Sequence, residues 1–122
     1  MIIMVDSLTG NGINFAKHLE GDIRLVGKDK IQENEKFFLL TRSFGFGQVP
    51  ESTVSLLEQF AYNCIGVAVS GNKNWGANFG KAGEIIQEKY DIPLVLKFEG
   101  SGFKSDWEKI SQYIKDKEQG YE

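Results

Sequence analysis

The sequence has few of the residues that disulfide scaffolds and metal centres require. Its 122 residues include one cysteine, Cys64, and one histidine, His18. A disulfide scaffold needs pairs of cysteines, and zinc sites need several Cys or His ligands, so both classes are excluded. Cys64 opens a predicted strand with no phosphate loop behind it, and we interpret it as a buried structural thiol. We interpret His18, on a predicted helix, as a surface residue.

An excess of positive charge and long apolar runs are also missing. The chain has 14 Lys and Arg against 17 Asp and Glu, a formal net charge of −3 at pH 7. Nucleic acids and anionic membranes attract clustered cations, so we expect neither as a partner. No apolar run approaches the roughly 18 residues of a membrane span, and residues 1–5 lack the basic start of a signal peptide. We therefore expect a cytoplasmic protein, with its thiol reduced.

Length and composition indicate one ordinary globular domain. Hydrophobic residues make up 41 % of the chain and charged residues 25 %. Both values are typical, and a prior of about 150 residues per domain gives a single domain over residues 1–122. A chain of this size buries roughly two thirds of its unfolded surface, which is enough for one core.

Short apolar runs predict a parallel sheet. The runs at 2–5, 37–40 and 65–69 are continuous, as in strands covered on both faces. Another run follows Pro93, and an alternating one at 23–26 is typical of an edge strand. Helical stripes separate most runs, with a weaker indication between the second and third strands. We predict an α/β fold, an open five-stranded parallel sheet of order 2-1-3-4-5 with helices on both faces, as in flavodoxin.

Capping residues predict where two of the helices begin. Pro50 and Glu51 are typical of a first helical turn, in which proline has no N–H to lose and an acid opposes the helix dipole. Ser105 is a candidate N-cap for the last helix. Residues 115–122 are polar and are predicted to fray.

Ligands of such a sheet bind beyond the carboxyl ends of its strands, so the loops there are informative. The loop after the first strand, residues 6–12, combines hydroxyls, glycines and an asparagine at the start of a helix. Unpaired backbone N–H groups at such a position favour an anion. The loop has no Lys or Arg, so a monophosphate held by neutral donors fits better than a triphosphate with Mg²⁺. A plain strand-to-helix turn capped by Ser or Thr is an equally good interpretation.

The loops after the third and fourth strands, residues 42–50 and 70–79, place large aromatics among glycines. Rings for stacking and backbone groups for edge-on hydrogen bonds favour a planar heteroaromatic ligand. The alternative is that Phe44, Phe46 and Trp75 pack under their own loops. The glycines match neither the dinucleotide fingerprint nor a complete P-loop. No nucleophile–base pair or metal site is indicated, so we expect any chemistry to come from a bound cofactor.

These loops resemble known proteins. Ser7-Leu8-Thr9-Gly10-Asn11 is similar to the phosphate loop of flavodoxins, which bind FMN. The segments 44–50 and 66–79 resemble the NrdI family, small flavodoxin-like partners of class Ib ribonucleotide reductase. The string Ser70-Gly71-Asn72, followed by Trp75-Gly76 and Asn78-Phe79, is the most specific part. Residues 90–94 and 97–99 also match, so the similarity covers nearly the whole chain.

The resemblance implies an FMN flavoprotein that acts as an accessory activator rather than a stand-alone enzyme. A reductase would donate electrons to FMN, and the protein would supply a reduced-oxygen oxidant to the class Ib ribonucleotide reductase small subunit. That oxidant would assemble its dimanganese-tyrosyl radical cofactor. The segments 44–47 and 71–76 would border the isoalloxazine, with Trp75 as the stacking ring. The predicted cofactor-binding residues are Ser7, Thr9, Gly10, Asn11, Gly12, Ser43, Phe44, Gly45, Phe46, Gly47, Ser70, Gly71, Asn72, Trp75, Gly76 and Phe79.

Three positions depart from the family pattern. Ala77 stands where the family usually has an acid, residues 100–103 read Gly-Ser-Gly-Phe instead of Leu-Ser-Gly-Thr, and Gly12 replaces a flavodoxin threonine. Two other hypotheses stay open, a flavodoxin-type one-electron carrier without oxygen chemistry and a binding domain without flavin. Electron-transfer flavodoxins tend to surround the flavin with acids, which repel the reduced anion. The loop 71–79 carries Lys73 and no acid, which favours the activator.

Overall fold

The structure is a computed structural model that describes residues 1–45 and 47–120. All pairings in its sheet are parallel, and the strand order is β2-β1-β3-β4-β5. This confirms the predicted fold class and the predicted order. The strands are β1 (Ile2–Val5), β2 (Asp22–Leu25), β3 (Phe37–Arg42), β4 (Cys64–Gly71) and β5 (Leu94–Glu99).

Helices cover both faces of the sheet. On one face Leu57 and Ile86 pack with Met4 and the other side chains of its cluster. On the opposite face Phe15 and Ile110 pack with their own cluster. The two clusters follow from the strand period of two, because successive side chains of a buried strand point to opposite faces. The helices are α1 (Asn11–Ala16), α2 (Glu51–Phe60), α3 (Lys81–Tyr90) and α4 (Lys104–Glu118), with 3₁₀ segments at Ala61–Asn63 and Lys73–Asn78.

Burial separates the central strands from the edge strands. The side chains at 37–40 of β3 are fully buried, and β1 is buried throughout. The outer strand β2 is only partly buried, as its alternating sequence predicts. The carboxyl ends of β1 and β3 therefore extend from the buried centre of the sheet, whereas β5 is a partly buried edge strand.

The connection from β2 to β3 contains no helix, so the weak indication of one there was wrong. Residues 26–36 form turns and irregular backbone. One apolar side chain, Ile31, is buried against the sheet at 7 % exposure and covers it. Arg24 fixes the loop through hydrogen bonds to the Lys30 carbonyl and the Glu35 carboxylate, each 2.9 Å long. A polar run with a single apolar anchor cannot form an amphipathic helix.

Two predicted details of α4 were also wrong. Phe103, and not Ser105, stands at its N-cap, where its N–H donates to the Asp106 carboxylate over 2.9 Å. An acid at the third helical position accepts from the N-cap N–H in this way in a capping box. The helix continues to Glu118 instead of fraying from residue 115, because Ile114 anchors its last turns in the core at 4 % exposure. Pro50 stands at the N-cap of α2, one residue before the predicted first turn.

The interpretations of the two rare residues are confirmed. Cys64 is 9 % exposed at the start of β4, and burial raises the pKa of its thiol to about 12. His18 is exposed, although it follows α1 instead of lying on it. Its ring stacks on Trp107, with centroids 3.4 Å apart. Over residues 1–45 and 47–120, no helix combines the length and apolar character needed to cross a membrane.

Candidate functional site

A cleft of about 650 Å³ opens at the carboxyl edge of the sheet, where strand-end loops meet. Loops that follow β1, β3, β4 and β5 all contribute to it. The convergence follows from the topology, since parallel strands present their carboxyl ends at one edge. The lining residues are Leu8, Thr9, Asn11, Arg42, Ser43, Ser70, Gly71, Asn72, Asn74, Trp75, Glu99 and Gly100.

The loop after β1 is shaped by the hydroxyl of Ser7. Its Oγ accepts hydrogen bonds from the N–H groups of Gly10 and Gly12 over 3.0 and 3.3 Å. Gly10 has a φ of 88°, which favours glycine, and a Cβ there would meet no atom within 4 Å. The side of the loop at Gly10 is therefore open. Thr9 and Asn11 line the cleft beside it.

The loop after β3 folds back on itself. Phe44 and Gln48 exchange two backbone hydrogen bonds, each 2.7 Å long. A Cβ on Gly47 would approach the Cβ of Lys81 to 2.5 Å, so only glycine fits between this loop and α3. Ser43 lines the cleft and is tied to β4 by its N–H, which donates to the Ser70 carbonyl over 3.1 Å.

Two side-chain oxygens, one of an amide and one of a carboxylate, hold the loop after β4 in place. The Asn72 side chain accepts from the N–H of Asn74 over 2.9 Å. The Glu99 carboxylate accepts from the N–H of Lys73 over 3.0 Å, which ties the loop to the end of β5. Trp75 is 39 % exposed and lines the cleft. This loop therefore presents a large flat side chain from a braced backbone.

A buried polar network lies beneath the cleft. Asp6, 8 % exposed, accepts hydrogen bonds from the hydroxyls of Ser52 and Thr53. The Thr53 hydroxyl also contacts that of Thr41, at 2.7 Å. The Nε of Arg42 lies 3.7 Å from Asp6 Oδ1, is buried, and has no hydrogen-bond partner within residues 1–45 and 47–120. The Asp6 carboxylate at that distance is its ion-pair partner, beyond hydrogen-bond distance.

The structure brings together part of the predicted site. Predicted residues that line the cleft are Thr9, Asn11, Ser43, Ser70, Gly71, Asn72 and Trp75. Others shape the loops without lining the cleft: Ser7, Gly10, Gly12, Gly45, Gly47 and Gly76. Phe44 points outward at 55 % exposure, and the Phe79 ring packs against Gly71 instead of lining the cleft. Phe46 lies outside the described residues.

The loop motifs of the sequence did not predict four further residues that line the cleft, namely Leu8, Arg42, Glu99 and Gly100. Asn74, another lining residue, lies within the predicted segment 71–76. Arg42 and Glu99 end β3 and β5, so their position at strand ends was the available indication. They are the lining residues with charged side chains, one of each sign.

The strand order and the position of the cleft define a flavodoxin-like fold, and solved structures agree. A short-chain flavodoxin associated with a non-canonical PDU bacterial microcompartment superposes with a TM-score of 0.71 at 13 % identity, covering 99 % of this chain and 97 % of that one. Fusobacterium nucleatum flavodoxin bound to flavin mononucleotide gives a TM-score of 0.61 at 12 % identity, covering 99 % and 98 %. At such identities the likeness is one of fold.

Sequence comparison gives the family. Residues 3–112 match the family described as NrdI Flavodoxin like. The SPbeta prophage-derived protein NrdI of Bacillus subtilis (strain 168) is 44 % identical over 112 residues, covering 89 % of this chain and 87 % of that protein. The phage protein nrdI of Bacillus phage SPbeta gives the same figures. The chain therefore belongs to the NrdI flavodoxin-like family, as its loops indicated.

Proposed function

We propose that the protein binds FMN in the cleft and activates a class Ib ribonucleotide reductase. It would supply the reduced-oxygen oxidant that assembles the dimanganese-tyrosyl radical cofactor of the small subunit. The observation that carries the proposal is the convergence of four strand-end loops on one cleft in a chain of the NrdI family. We expect this to take place in the cytoplasm, where a reductase can donate electrons to the flavin.

The residues of the cleft fit FMN. Its volume of about 650 Å³ lies in the usual range of small-molecule sites, roughly 300–1,000 Å³. The loop after β1 offers the hydroxyl of Thr9 and the open side of Gly10, which suit a phosphate. The loop after β4 offers Trp75 and the backbone of Gly71, which suit a flat ring. A relative in fold, the Fusobacterium nucleatum flavodoxin, is described as FMN-bound.

The protein's own residues would bind and orient the cofactor. The loop braced by Ser7 would hold the phosphate, and Trp75 would cover one face of the isoalloxazine. Ser43 and Asn72 offer polar groups near the ring edge. Bound FMN would supply the redox chemistry that converts O₂ into the oxidant. The role of the protein would be to hold the ring at an open edge of the cleft that O₂ can reach.

The surroundings of the cleft fit docking of a protein partner. Three large apolar side chains lie exposed on loops at this edge, namely Leu8 at 75 %, Phe44 at 55 % and Phe103 at 69 %. Exposed apolar groups gathered around a polar cleft are typical of interaction sites. A small subunit seated there would receive the oxidant before it diffuses away.

The charges of the cleft favour the activator over a one-electron carrier. Glu99 is the single acid among the lining residues of the described chain, and Arg42 balances it. A cleft without a ring of acids does not repel a reduced, anionic flavin, so we expect both electrons to enter in one step. Titration of the holoprotein with dithionite measures this, and two well-separated one-electron steps would support the carrier.

The decisive experiment mixes reduced holoprotein, O₂ and a manganese-loaded class Ib small subunit. We expect a tyrosyl radical signal in electron paramagnetic resonance, and none when the flavin is left oxidised. Wild-type protein that binds FMN and still gives no radical would contradict the activator function. Protein that FMN fails to turn yellow would contradict flavin binding as well.

A further inference from the structure

Arg42 is the cationic residue among the described residues that line the cleft, and the loop after β1 contains no Lys or Arg. We propose that Arg42 binds the phosphate of the cofactor and makes the cleft select a flavin monophosphate over the same flavin without phosphate. This inference rests on the proposed binding of FMN. It corrects the expectation of neutral donors alone, which was drawn from the loop at 6–12.

The strand register places Arg42 beside the loop after β1. Val5 of β1 pairs with Leu40 of β3, and the N–H of Asp6 donates to the Leu40 carbonyl over 2.8 Å. Arg42 Nε lies 3.7 Å from Asp6 Oδ1, and Asp6 leads directly into Ser7. Ser7 is the residue whose hydroxyl shapes that loop.

Arg42 and the loop after β1 meet at the cleft. Thr9 and Asn11 of that loop line the cleft together with Arg42. At the end of β3, the Nε of Arg42 lies 3.7 Å from the carboxylate of Asp6, the first residue after β1. The guanidinium therefore stands at the carboxyl ends of β1 and β3, where this loop begins.

The guanidinium has donors to offer. Its Nε is buried without a hydrogen-bond partner among residues 1–45 and 47–120, and the side chain as a whole is 22 % exposed. A guanidinium carries five N–H donors in a planar fork that matches phosphate oxygens. Arg42 lines the cleft, so the N–H groups of its fork other than the buried Nε would donate to a phosphate at the mouth.

Asp6 fixes the position of this cation without occupying its donors. The carboxylate lies 3.7 Å from Arg42 Nε, beyond hydrogen-bond distance, while two hydroxyls donate to it. The other charge facing the cleft, Glu99, is engaged by the N–H of Lys73. Electrostatic attraction to Asp6 therefore holds the guanidinium in place without blocking its side toward the cleft.

The test compares FMN with riboflavin, which has the same ring and no phosphate, on Arg42→Gln protein. We expect FMN affinity to fall about 10- to 100-fold, the usual effect of losing a hydrogen bond to a charged group, while riboflavin affinity changes less than about twofold. Arg42→Lys keeps the charge and should retain part of the preference for FMN. Lys104→Gln, at a side chain 85 % exposed and outside the cleft, removes the same charge and should leave both affinities unchanged.

Arg42→Gln leaves Asp6 buried without its counter-charge, so the double variant Asp6→Asn/Arg42→Gln serves if the single variant does not fold. The double variant should likewise lose the preference for FMN. An equal loss of FMN and riboflavin affinity would overturn the inference, since Arg42 would then hold the ring or the fold. Unchanged FMN affinity would overturn it too. Wild-type protein that binds neither flavin would instead contradict the proposed function itself.

Discussion

The two edges of the sheet treat their polar side chains differently. At the amino edge, where α2 and α3 end, the side chains of Lys89 and Tyr90 both donate to the carboxylate of Glu58, over 3.1 and 3.0 Å. Hydrogen bonds from Lys89 first, and from Tyr90, lower the pKa of Glu58. At the carboxyl edge, Arg42 Nε is buried and makes no hydrogen bond among the described residues, although Asp6 Oδ1 lies 3.7 Å away. The hydrogen-bonded group at the amino edge belongs to the framework, whereas the Arg42 side chain at the carboxyl edge lines the cleft.

This contrast implies that substitutions of exposed residues at the carboxyl edge change FMN affinity and spare stability, whereas substitutions of hydrogen-bonded residues at the amino edge do the reverse.

The largest effect is expected for Thr9→Ala. Loss of the hydroxyl that we propose as a donor to the phosphate should weaken FMN binding by about 1.5–3 kcal/mol, the value of a hydrogen bond to a charged group. Thr9 is exposed, so the midpoint of thermal unfolding of the apoprotein should not move. Thr9→Ser keeps the hydroxyl and is the matched control, measured by equilibrium dialysis against FMN. Equal affinities for the alanine and serine variants would place the phosphate elsewhere.

Trp75→Ala removes a stacking face and should cost about 1–2 kcal/mol of FMN affinity. Tyr62→Ala provides the comparison at the amino edge, because Tyr62 is fully exposed and precedes β4. That control should bind FMN as the wild type does. Quenching of flavin fluorescence measures both variants, and an unchanged affinity for Trp75→Ala would show that the ring does not stack there.

Tyr113→Phe tests the contribution of the amino edge to stability. The Tyr113 hydroxyl donates to the Ile65 carbonyl over 2.6 Å near the start of β4, and burial raises the pKa of this phenol. Losing one such hydrogen bond should lower the free energy of unfolding by roughly 0.5–1.5 kcal/mol. Chemical denaturation measures the loss, and FMN affinity should stay at the wild-type value. A variant as stable as the wild type, or one with impaired FMN binding, would break the division between the edges.

The smallest expected effect concerns Cys64 at the amino edge. Its thiol is buried, and the pKa of about 12 keeps it protonated at pH 8, so iodoacetamide should leave the folded protein unmodified and alkylate it only in denaturant. The unfolded thiol ionises near its ordinary pKa of 9.0. Between pH 9 and 12 the unfolded chain therefore holds fewer protons, and this thiol makes stability fall as pH rises. Rapid alkylation of native protein would contradict its placement in the core.

The sheet could be predicted because its physics is local. Continuous apolar runs at 2–5 and 37–40 are typical only of strands covered on both faces, and the structure buries both runs. The segment 26–36 could not be predicted the same way. Its turn conformation depends on Arg24 and Glu35, which are brought together by pairing of β2 with the rest of the sheet. The start of α4 likewise depends on Asp106, whose carboxylate accepts a hydrogen bond from the N–H of Phe103.

The site was predictable to the extent that it follows from topology. Loops after β1, β3 and β4 meet because parallel strands end at one edge, so Thr9, Ser43 and Trp75 could be assigned from sequence. The contribution of β5 through Glu99 could not, because its carboxylate matters only once it reaches Lys73 across the loop. Arg42 was hidden for a similar reason, since its ion-pair partner Asp6 is distant in sequence and comes close only through the pairing of β1 with β3.

Titration of purified apoprotein with FMN tests the central claim most directly. The account predicts that one FMN binds per chain in the cleft, with an affinity that Thr9→Ala and Trp75→Ala each reduce. A folded protein that takes up no FMN, or one whose affinity neither substitution changes, would contradict it.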